Sequence, residues 1–172
     1  MLLQLRIENF ATISELEVEF TRGFSILTGE TGAGKSIMID AILLVLGHRG
    51  DPGMIRTGKE LAEVEGIFSV PENPVNGEQF NIRKELELTG INLDDELIVR
   101  CIVSRKGRQK RYINGVSVTA DFLKSIGRKL INIHGQHDNQ SLLQASSHLE
   151  FLDGFGQLIP LQIGRASCRE RV

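Results

Sequence analysis

The feature that most constrains this chain of 172 residues is the segment GETGAGKS, Gly29 to Ser36. It matches the phosphate-loop pattern G-x-x-x-x-G-K-[ST] at every fixed position. Glycines let consecutive backbone N–H groups turn inward and form a nest for an anion. Lys35 supplies a mobile positive charge for the β- and γ-phosphates, and the Ser36 hydroxyl suits Mg²⁺. The predicted nucleotide-binding residues are Gly29, Glu30, Thr31, Gly32, Ala33, Gly34, Lys35 and Ser36.

The flanks of this loop predict the order strand, loop, helix that a phosphate loop needs. Phe24 to Thr28 is a short apolar run, typical of a buried strand. Ser36 to Leu46 is mostly apolar and predicts a helix that ends at Gly47. Upstream, Leu2 to Phe10 and Ile13 to Phe20 alternate apolar and polar residues, as half-buried strands do. Together these segments predict an α/β fold with a P-loop.

The second half of the chain predicts more sheet and one clear helix. Strands are predicted at Ala62 to Val70, Leu97 to Ser104 and Ile131 to His134. The proline-containing segment between the first two predicts irregular structure with a short helix near Arg83. Asn114-Gly115 lies between two short strand-like runs and predicts a hairpin turn. Thr119 to Leu130 predicts a helix with Thr119 as its N-cap.

Composition narrows the class of protein. Hydrophobic residues make up 41% and charged residues 24%, which fits one globular domain. The net charge of -2 means that any DNA contact needs a local basic patch. No run of about 18 apolar residues predicts a membrane span, and the charged N-terminus is unlike a signal peptide, so a cytoplasmic protein is expected. Cys101 and Cys168 lack metal-site spacing, which favours reduced thiols.

One such basic patch is the segment SRKGRQKR, Ser104 to Arg111, which holds five basic residues in eight. It directly precedes the predicted hairpin, so its side chains could grip the phosphates of DNA or of the nucleotide. A solvated turn that keeps a sheet edge soluble is the equally weighted alternative. The DNA-binding candidates are Arg105, Lys106, Arg108, Lys110 and Arg111.

Two further groups of residues are candidates for the nucleotide site. The segment INIHGQHDNQSLL from Ile131 to Leu143 fits a zinc site poorly, because two histidines without a nearby cysteine are a weak ligand set. It also fits a polar loop in which a Gln reaches Mg²⁺, or a plain surface loop. Arg49 and Arg56 follow the predicted helix and are either arginine fingers or surface residues.

Three segments together resemble the RecN family of bacterial DNA-repair proteins, relatives of the SMC and Rad50 chromosome proteins. They are MLLQLRIENFATI, GETGAGKSIMIDAILLVLGHR and INIHGQHDNQSLL, and the resemblance covers about residues 1 to 160. Ala11 follows Asn9-Phe10 where many SMC relatives carry a basic residue that helps to hold phosphate. RecN-like chains resemble this chain at that position.

The resemblance implies the N-terminal lobe of an α/β ABC-type ATPase head with a mixed and antiparallel β-sheet. Such a head is assembled from the two ends of a longer chain, with an antiparallel coiled coil between them. It implies ATP and Mg²⁺ as cofactors, two ATP molecules sandwiched between two heads, and action on DNA double-strand breaks. By position, Gly29, Gly34, Lys35 and Ser36 correspond to Walker A. Gln136 corresponds to the Q-loop residue that touches Mg²⁺, and Arg56 falls near an arginine that SMC heads place close to the nucleotide.

The motifs that complete such a head are expected to be missing here. We find neither an LSGGE-like signature nor an apolar run ending in the Asp-Glu of a Walker B strand. We therefore expect residues 1–161 to be the N-terminal part of the head, which binds ATP but turns it over poorly or not at all. Residues 162–172 resemble a vector-derived tail, and we exclude them from the fold.

The sequence is also compatible with two other functions. A stand-alone small-molecule kinase would use the same phosphate loop, with a lid and an acceptor site. A nucleotide-independent DNA-binding module would use only the basic hairpin. Transfer of phosphate to small acceptors would support the first, and DNA binding that survives Lys35→Ala would support the second.

Overall fold

The computed structural model describes residues 1–28, 34–70, 77–93, 95–131 and 133. Its strands are β1 (Leu2–Phe10), β2 (Ile13–Glu19), β3 (Leu61–Ser69), β4 (Glu96–Ser104), β5 (Gln109–Ile113) and β6 (Val116–Ser117). Its helices are α1 (Lys35–Val45), α2 (Gly77–Leu88) and α3 (Ala120–Leu130), with a 3₁₀ turn at Pro52–Met54.

The six strands form one sheet in the order β2-β1-β3-β4-β5-β6, and every neighbouring pair is antiparallel. In the register of the sheet, Val64 of β3 lies between Ile7 of β1 and Cys101 of β4. Asn114 and Gly115 connect β5 to β6 with φ angles of 46° and 80°, the left-handed conformations that a tight hairpin turn requires. The predicted Asn-Gly hairpin is therefore confirmed.

One face of the sheet is apolar because the strands alternate. The inward side chains of β3 and β4 are fully buried, whereas their neighbours along each strand are partly exposed. Helix α1 packs on this face against β1, β3 and β4, and α3 packs against β5 and α2. The core consists of these inward side chains together with the apolar residues of α1, α2 and α3.

Two glycines allow the end of α1 to approach α3. Gly47, with a φ of 93°, ends α1, and a Cβ there would lie 2.5 Å from the backbone nitrogen of Lys124. On the other side, a Cβ on Gly127 would lie 2.3 Å from the carbonyl oxygen of Leu46. Any side chain at either position would push the two helices apart, so this contact fixes how α1 sits on the sheet.

Most predicted elements are confirmed within one or two residues, and three predictions need correction. Phe24 to Thr28 is not a strand and is exposed, because it pairs with none of the six described strands. Ile131 is not in a strand, because its N–H donates to Gly127 and so closes the last turn of α3. The helix near Arg83 is longer than predicted, with 12 residues.

Candidate nucleotide-binding site and basic surface

The N-terminus of α1 has the features of an anion site. Gly34 directly precedes the helix with a φ of 100°, and its carbonyl accepts the first helical hydrogen bond, from Met38, at 2.9 Å. A glycine N-cap has no side chain that could accept hydrogen bonds from the first turn, and that turn contains no acidic residue. The positive end of the helix therefore has no competing carboxylate on its own first turn, which suits a bound phosphate.

Lys35 and Ser36 occupy the first two positions of this helix. Lys35 is half-buried, and Ser36 is exposed. The arrangement can hold phosphate oxygens at the helix end and a hydroxyl beside them for a hard cation. The other predicted loop residues, Gly29, Glu30, Thr31, Gly32 and Ala33, and the Q-loop candidate Gln136 lie outside the described residues.

Arg56 is anchored beside the turn between β1 and β2. Its backbone N–H donates to the Asn9 carbonyl at 2.9 Å, and its guanidinium Nη1 donates to the Thr12 carbonyl. Asn9 and Ala11 have positive φ angles of 52° and 49°, so this turn bends sharply where it receives the arginine. The guanidinium of Arg56 thus lies next to Ala11, the position at which many SMC relatives carry a basic residue.

Arg49 occupies a different place. It follows the C-terminal end of α1, which is about 16 Å long for its 11 residues. Arg49 is therefore separated by the length of the helix from the phosphate-loop end of its own chain.

The five DNA-binding candidates separate into three groups. Lys106, Arg108 and Lys110 are exposed at and beside the turn between β4 and β5. Arg105 is also exposed, but its guanidinium bends back and donates to two carbonyls of the loop before β3. Arg111 is half-buried and donates from Nη2 to the side-chain oxygen of Gln109.

Arg111 lines an open groove of about 750 Å³ between the end of α1, the β4–β5 turn and the start of α3. Arg49 and Lys124 also line it, together with Gln109 and Asp121. None of the ion pairs found among the described residues involves these three cations. The sequence patterns did not indicate Gln109 or Lys124, because only the packing of α3 brings Lys124 to the hairpin.

Cys101 lies directly opposite Arg111 in the sheet but is buried. Burial raises the pKa of the Cys101 thiol to about 12, although the charge of Arg111 acts in the opposite direction. The thiol also lies 3.4 Å from the Leu44 carbonyl. The buried thiol of Cys101 is consistent with a packing role.

Within the described ranges, no group of three or more His, Cys, Asp or Glu side chains could hold a metal ion. No helix in the same ranges has the length and apolar character needed to cross a membrane.

Comparison with known proteins places this geometry in a family. The sequence model of the AAA domain matches residues 4–162. The chain belongs to the AAA-domain family. Its membership of this P-loop class accounts for the glycine-rich loop at the start of α1 and implies nucleotide binding.

Among curated proteins, the chain is similar to DNA repair protein RecN of Bacillus subtilis (strain 168), with 48% identity over 160 residues. That match covers 90% of this chain and 26% of the relative. The chain spans about a quarter of the length of the curated relatives that it matches. The resemblance to RecN drawn from the three sequence segments is confirmed.

Solved structures agree on the fold. The chain matches an Smc head domain with a coiled coil and joint from Pyrococcus yayanosii with a TM-score of 0.65 and 19% identity, over 98% of this chain and 34% of that one. A chain from structural work on ATP-driven dimerization and DNA-stimulated activation of SMC ATPases matches with a TM-score of 0.60 and 22% identity. There the match covers 90% of this chain and 98% of the other. The predicted ABC-type head fold is therefore confirmed.

Proposed function

We propose that this chain is the ATP-binding half of a RecN-like ATPase head that acts in DNA double-strand break repair and recombination. The observation that carries the proposal is the left-handed Gly34 immediately before α1, inside a complete phosphate-loop sequence. This glycine adopts a conformation that other residues disfavour and leaves the helix N-terminus without a capping side chain, which suits phosphate binding. The similarity to RecN supplies the biological setting.

In this proposal ATP and Mg²⁺ are the ligands. Gly29 to Ala33 and Gly34 would cradle the phosphates with backbone N–H groups, and Lys35 would neutralise the β- and γ-phosphates. The Ser36 hydroxyl and the Gln136 side-chain oxygen would hold Mg²⁺, which withdraws charge from the phosphates when it is bound. Arg56 would lie beside the nucleotide from its anchor at the β1–β2 turn.

The exposed segment before the loop supports the half-head part of the proposal. Phe24, Ile26 and Leu27 are 88%, 71% and 51% exposed, although they directly precede the phosphate loop. Phe24, Ile26 and Leu27 thus form an exposed apolar stretch, and such stretches mark surfaces that another element covers. We propose that the C-terminal half of the same head covers them and brings the signature and Walker B motifs.

DNA and a second head are the further partners that we propose. The exposed Lys106, Arg108 and Lys110 provide a local basic surface on a chain whose net charge is -2. A second head would supply the charge that phosphoryl transfer needs on the far side of the γ-phosphate. Residues 1–161 form the head part in this proposal, and residues 162–172 are a non-native tail outside the described residues. A cytoplasmic, nucleoid-associated location follows from the proposed DNA substrate.

Calorimetric titration with Mg·ATP tests the proposal. We expect this chain to bind Mg·ATP alone, and to hydrolyse it only when mixed with the C-terminal half-head of the B. subtilis relative. Lys35→Ala should remove binding, because the phosphates lose their mobile counter-charge. Lys84→Ala is the matched control, since Lys84 is an exposed lysine of α2 outside the loop sequence.

Three results would contradict the proposal. Absence of Mg·ATP binding by folded wild-type protein would remove the nucleotide site. Phosphate transfer to a small acceptor by this chain alone would favour a kinase. DNA binding without any response to nucleotide would favour a simple DNA-binding module.

A further inference from the structure

Arg105 has an unusual position among the basic residues of the β4–β5 turn. Its side chain folds back, and Nε donates to the carbonyl of Lys59 while Nη2 donates to the carbonyl of Arg56 at 3.3 Å. Its backbone N–H donates to the Glu60 carbonyl at 3.0 Å. Residue 105 therefore makes three hydrogen bonds to the segment 56–60, which leads into β3.

The segment 56–60 is a short turn that depends on such contacts. The Lys59 N–H donates to the Arg56 carbonyl at 3.0 Å, and Gly58 adopts a φ of 83° to close the turn. The Arg56 carbonyl thus accepts both from within the turn and from Arg105. The residues of the turn are mostly exposed, so few apolar contacts stabilise its conformation. These hydrogen bonds therefore contribute more to holding the turn in place.

Arg56 is therefore hydrogen-bonded through its backbone N–H and guanidinium to one turn and through its carbonyl to Arg105. On one side, its N–H and its guanidinium bind the carbonyls of Asn9 and Thr12. On the other side, its carbonyl binds the guanidinium of Arg105. Loss of Arg105 would leave the Arg56 carbonyl with only the hydrogen bond from the Lys59 N–H, so the backbone of Arg56 would be held less firmly.

The neighbouring basic residues Lys106 and Arg108 do not hold the 56–60 turn through their side chains. The side chains of Lys106 and Arg108 are exposed, and within the described part of the chain neither side chain makes a hydrogen bond or an ion pair. Lys106 takes part through its backbone N–H, which donates to Ser104 Oγ at 3.2 Å. The two side chains are therefore available for an external anion, whereas Arg105 directs two N–H groups at carbonyls of its own chain.

We infer that Arg105 is a positioning residue that fixes the backbone of Arg56, and that it is not a DNA contact. The inference deepens the proposed function and rests on it, because Arg56 matters for nucleotide only if the ATP site is as proposed. It also changes the predicted DNA-binding set, which then begins at Lys106.

Three variants of the full chain test this inference: Arg105→Ala, Arg105→Lys and the matched control Lys106→Ala. Hydrogen exchange of the Lys59 amide measures the stability of the 56–60 turn. The salt dependence of duplex DNA binding measures the number of phosphate contacts, and calorimetry gives the Kd of Mg·ATP. A melting curve by circular dichroism confirms that each variant is folded.

For Arg105→Ala we expect the Lys59 amide to exchange about tenfold faster, the size expected for losing hydrogen bonds to a charged group. We expect Mg·ATP to bind about fivefold more weakly for the same reason, and the slope of DNA affinity against salt to stay unchanged. Arg105→Lys should behave like Arg105→Ala, because an ammonium group lacks the fork that reaches both carbonyls. Lys106→Ala should instead reduce the salt slope by about one.

A DNA contact would give the opposite pattern. If Arg105→Ala lowers the salt slope as Lys106→Ala does, or if Arg105→Lys retains wild-type properties, the inference is wrong. Unchanged exchange at Lys59, or unchanged ATP affinity with faster exchange, would also overturn it. A different result would contradict the proposed function: wild-type protein and Lys35→Ala would bind ATP equally well.

Discussion

Similar apolar residues are buried in the sheet but exposed in the segment that leads into the phosphate loop. In β1, Leu5 and Ile7 are completely buried, because β2 and β3 flank the strand and α1 covers its face. Beyond β2, Phe24 and Ile26 are apolar as well, yet both are mostly exposed. The difference shows that an apolar run becomes a buried strand only where neighbouring strands and a covering layer are available.

The same comparison separates stability from function. The sheet and the three helices contain most of the buried apolar side chains among the described residues, and their packing stabilises the chain. The exposed segment around Phe24 contributes little to that core and directly precedes the phosphate-loop sequence. Substitutions in the sheet should therefore lower the unfolding free energy, whereas substitutions around Phe24 should affect association with a partner.

The largest expected effect is that of Phe68→Ala in β3. The Phe68 ring is completely buried, so its removal leaves a cavity in the core and should cost about 3–5 kcal/mol of unfolding free energy. Urea denaturation followed by circular dichroism measures it. Phe24→Ala is the matched control, and an equal loss from both variants would remove the distinction between the two regions.

Gly127→Ala should rank second. The new methyl group would lie 2.3 Å from the Leu46 carbonyl oxygen, so α3 would have to move away from the end of α1. We expect a loss of about 1–3 kcal/mol, even though alanine favours an isolated helix by about 1 kcal/mol. Ser125→Ala on the same helix is the control because Ser125 is exposed. A stabilised Gly127→Ala protein would show that the helices do not approach as described.

High pH should weaken the buried side of the sheet through Cys101. The folded pKa of about 12 lies above the ordinary value of 9.0, so the contribution of the neutral thiol is complete below pH 9.0 and is lost as the pH rises towards about 12. The loss should approach about 1 kcal/mol for each pH unit above 9. Urea denaturation of wild type and Cys101→Ala at several pH values isolates this thiol. Parallel pH profiles for the two proteins would contradict its burial.

Arg100→Ala on the solvent face of the sheet should cost about 0–1 kcal/mol. The Arg100 side chain is half-exposed and lies 2.9 Å from Glu65 and 3.3 Å from Glu63, and the hydrogen bond to Glu65 raises the pKa of Arg100. Thermal melts at low and high salt should show a difference that shrinks as salt increases. A loss as large as that of Phe68→Ala would mean that this ion-pair cluster is part of the core.

The double variant Phe24→Ser, Ile26→Ser should change the unfolding free energy least, by about 0.5 kcal/mol or less. Its effect should appear in association, where we expect loss of binding to the C-terminal half-head of the B. subtilis relative and less self-association by light scattering. Retained binding of the half-head would show that the exposed apolar segment is not the contact surface.

The sequence predicted the elements whose signals are local. β1 and β2 alternate with a period of two, Asn114-Gly115 supplies the conformations of its turn, and Thr119 caps α3 by accepting from the Phe122 N–H. For the candidate site, the glycine pattern located the start of α1 to within one residue. These features depend on the residues themselves and their nearest neighbours.

Features that depend on distant partners were missed. Phe24 to Thr28 has the composition of a strand, but composition does not reveal whether a neighbouring strand exists. Arg105 and Arg111 belong to the same run of charges, yet the fold directs one to the turn at 56–60 and the other to the groove beside Lys124. A run of basic residues indicates charge at a place along the chain, and only the packing decides which of the side chains are available.

The order of strands has a consequence for how the chain folds. β1 pairs with β3, and the connection between β2 and β3 contains both the phosphate loop and α1. Closing that pairing brings together residues about sixty positions apart, whereas β1–β2, β4–β5 and β5–β6 need only short turns. Long loops close more slowly than hairpins, so β1–β3 pairing should limit the folding rate. During synthesis, the helix that bears Lys35 can settle on the sheet only after β3 has emerged.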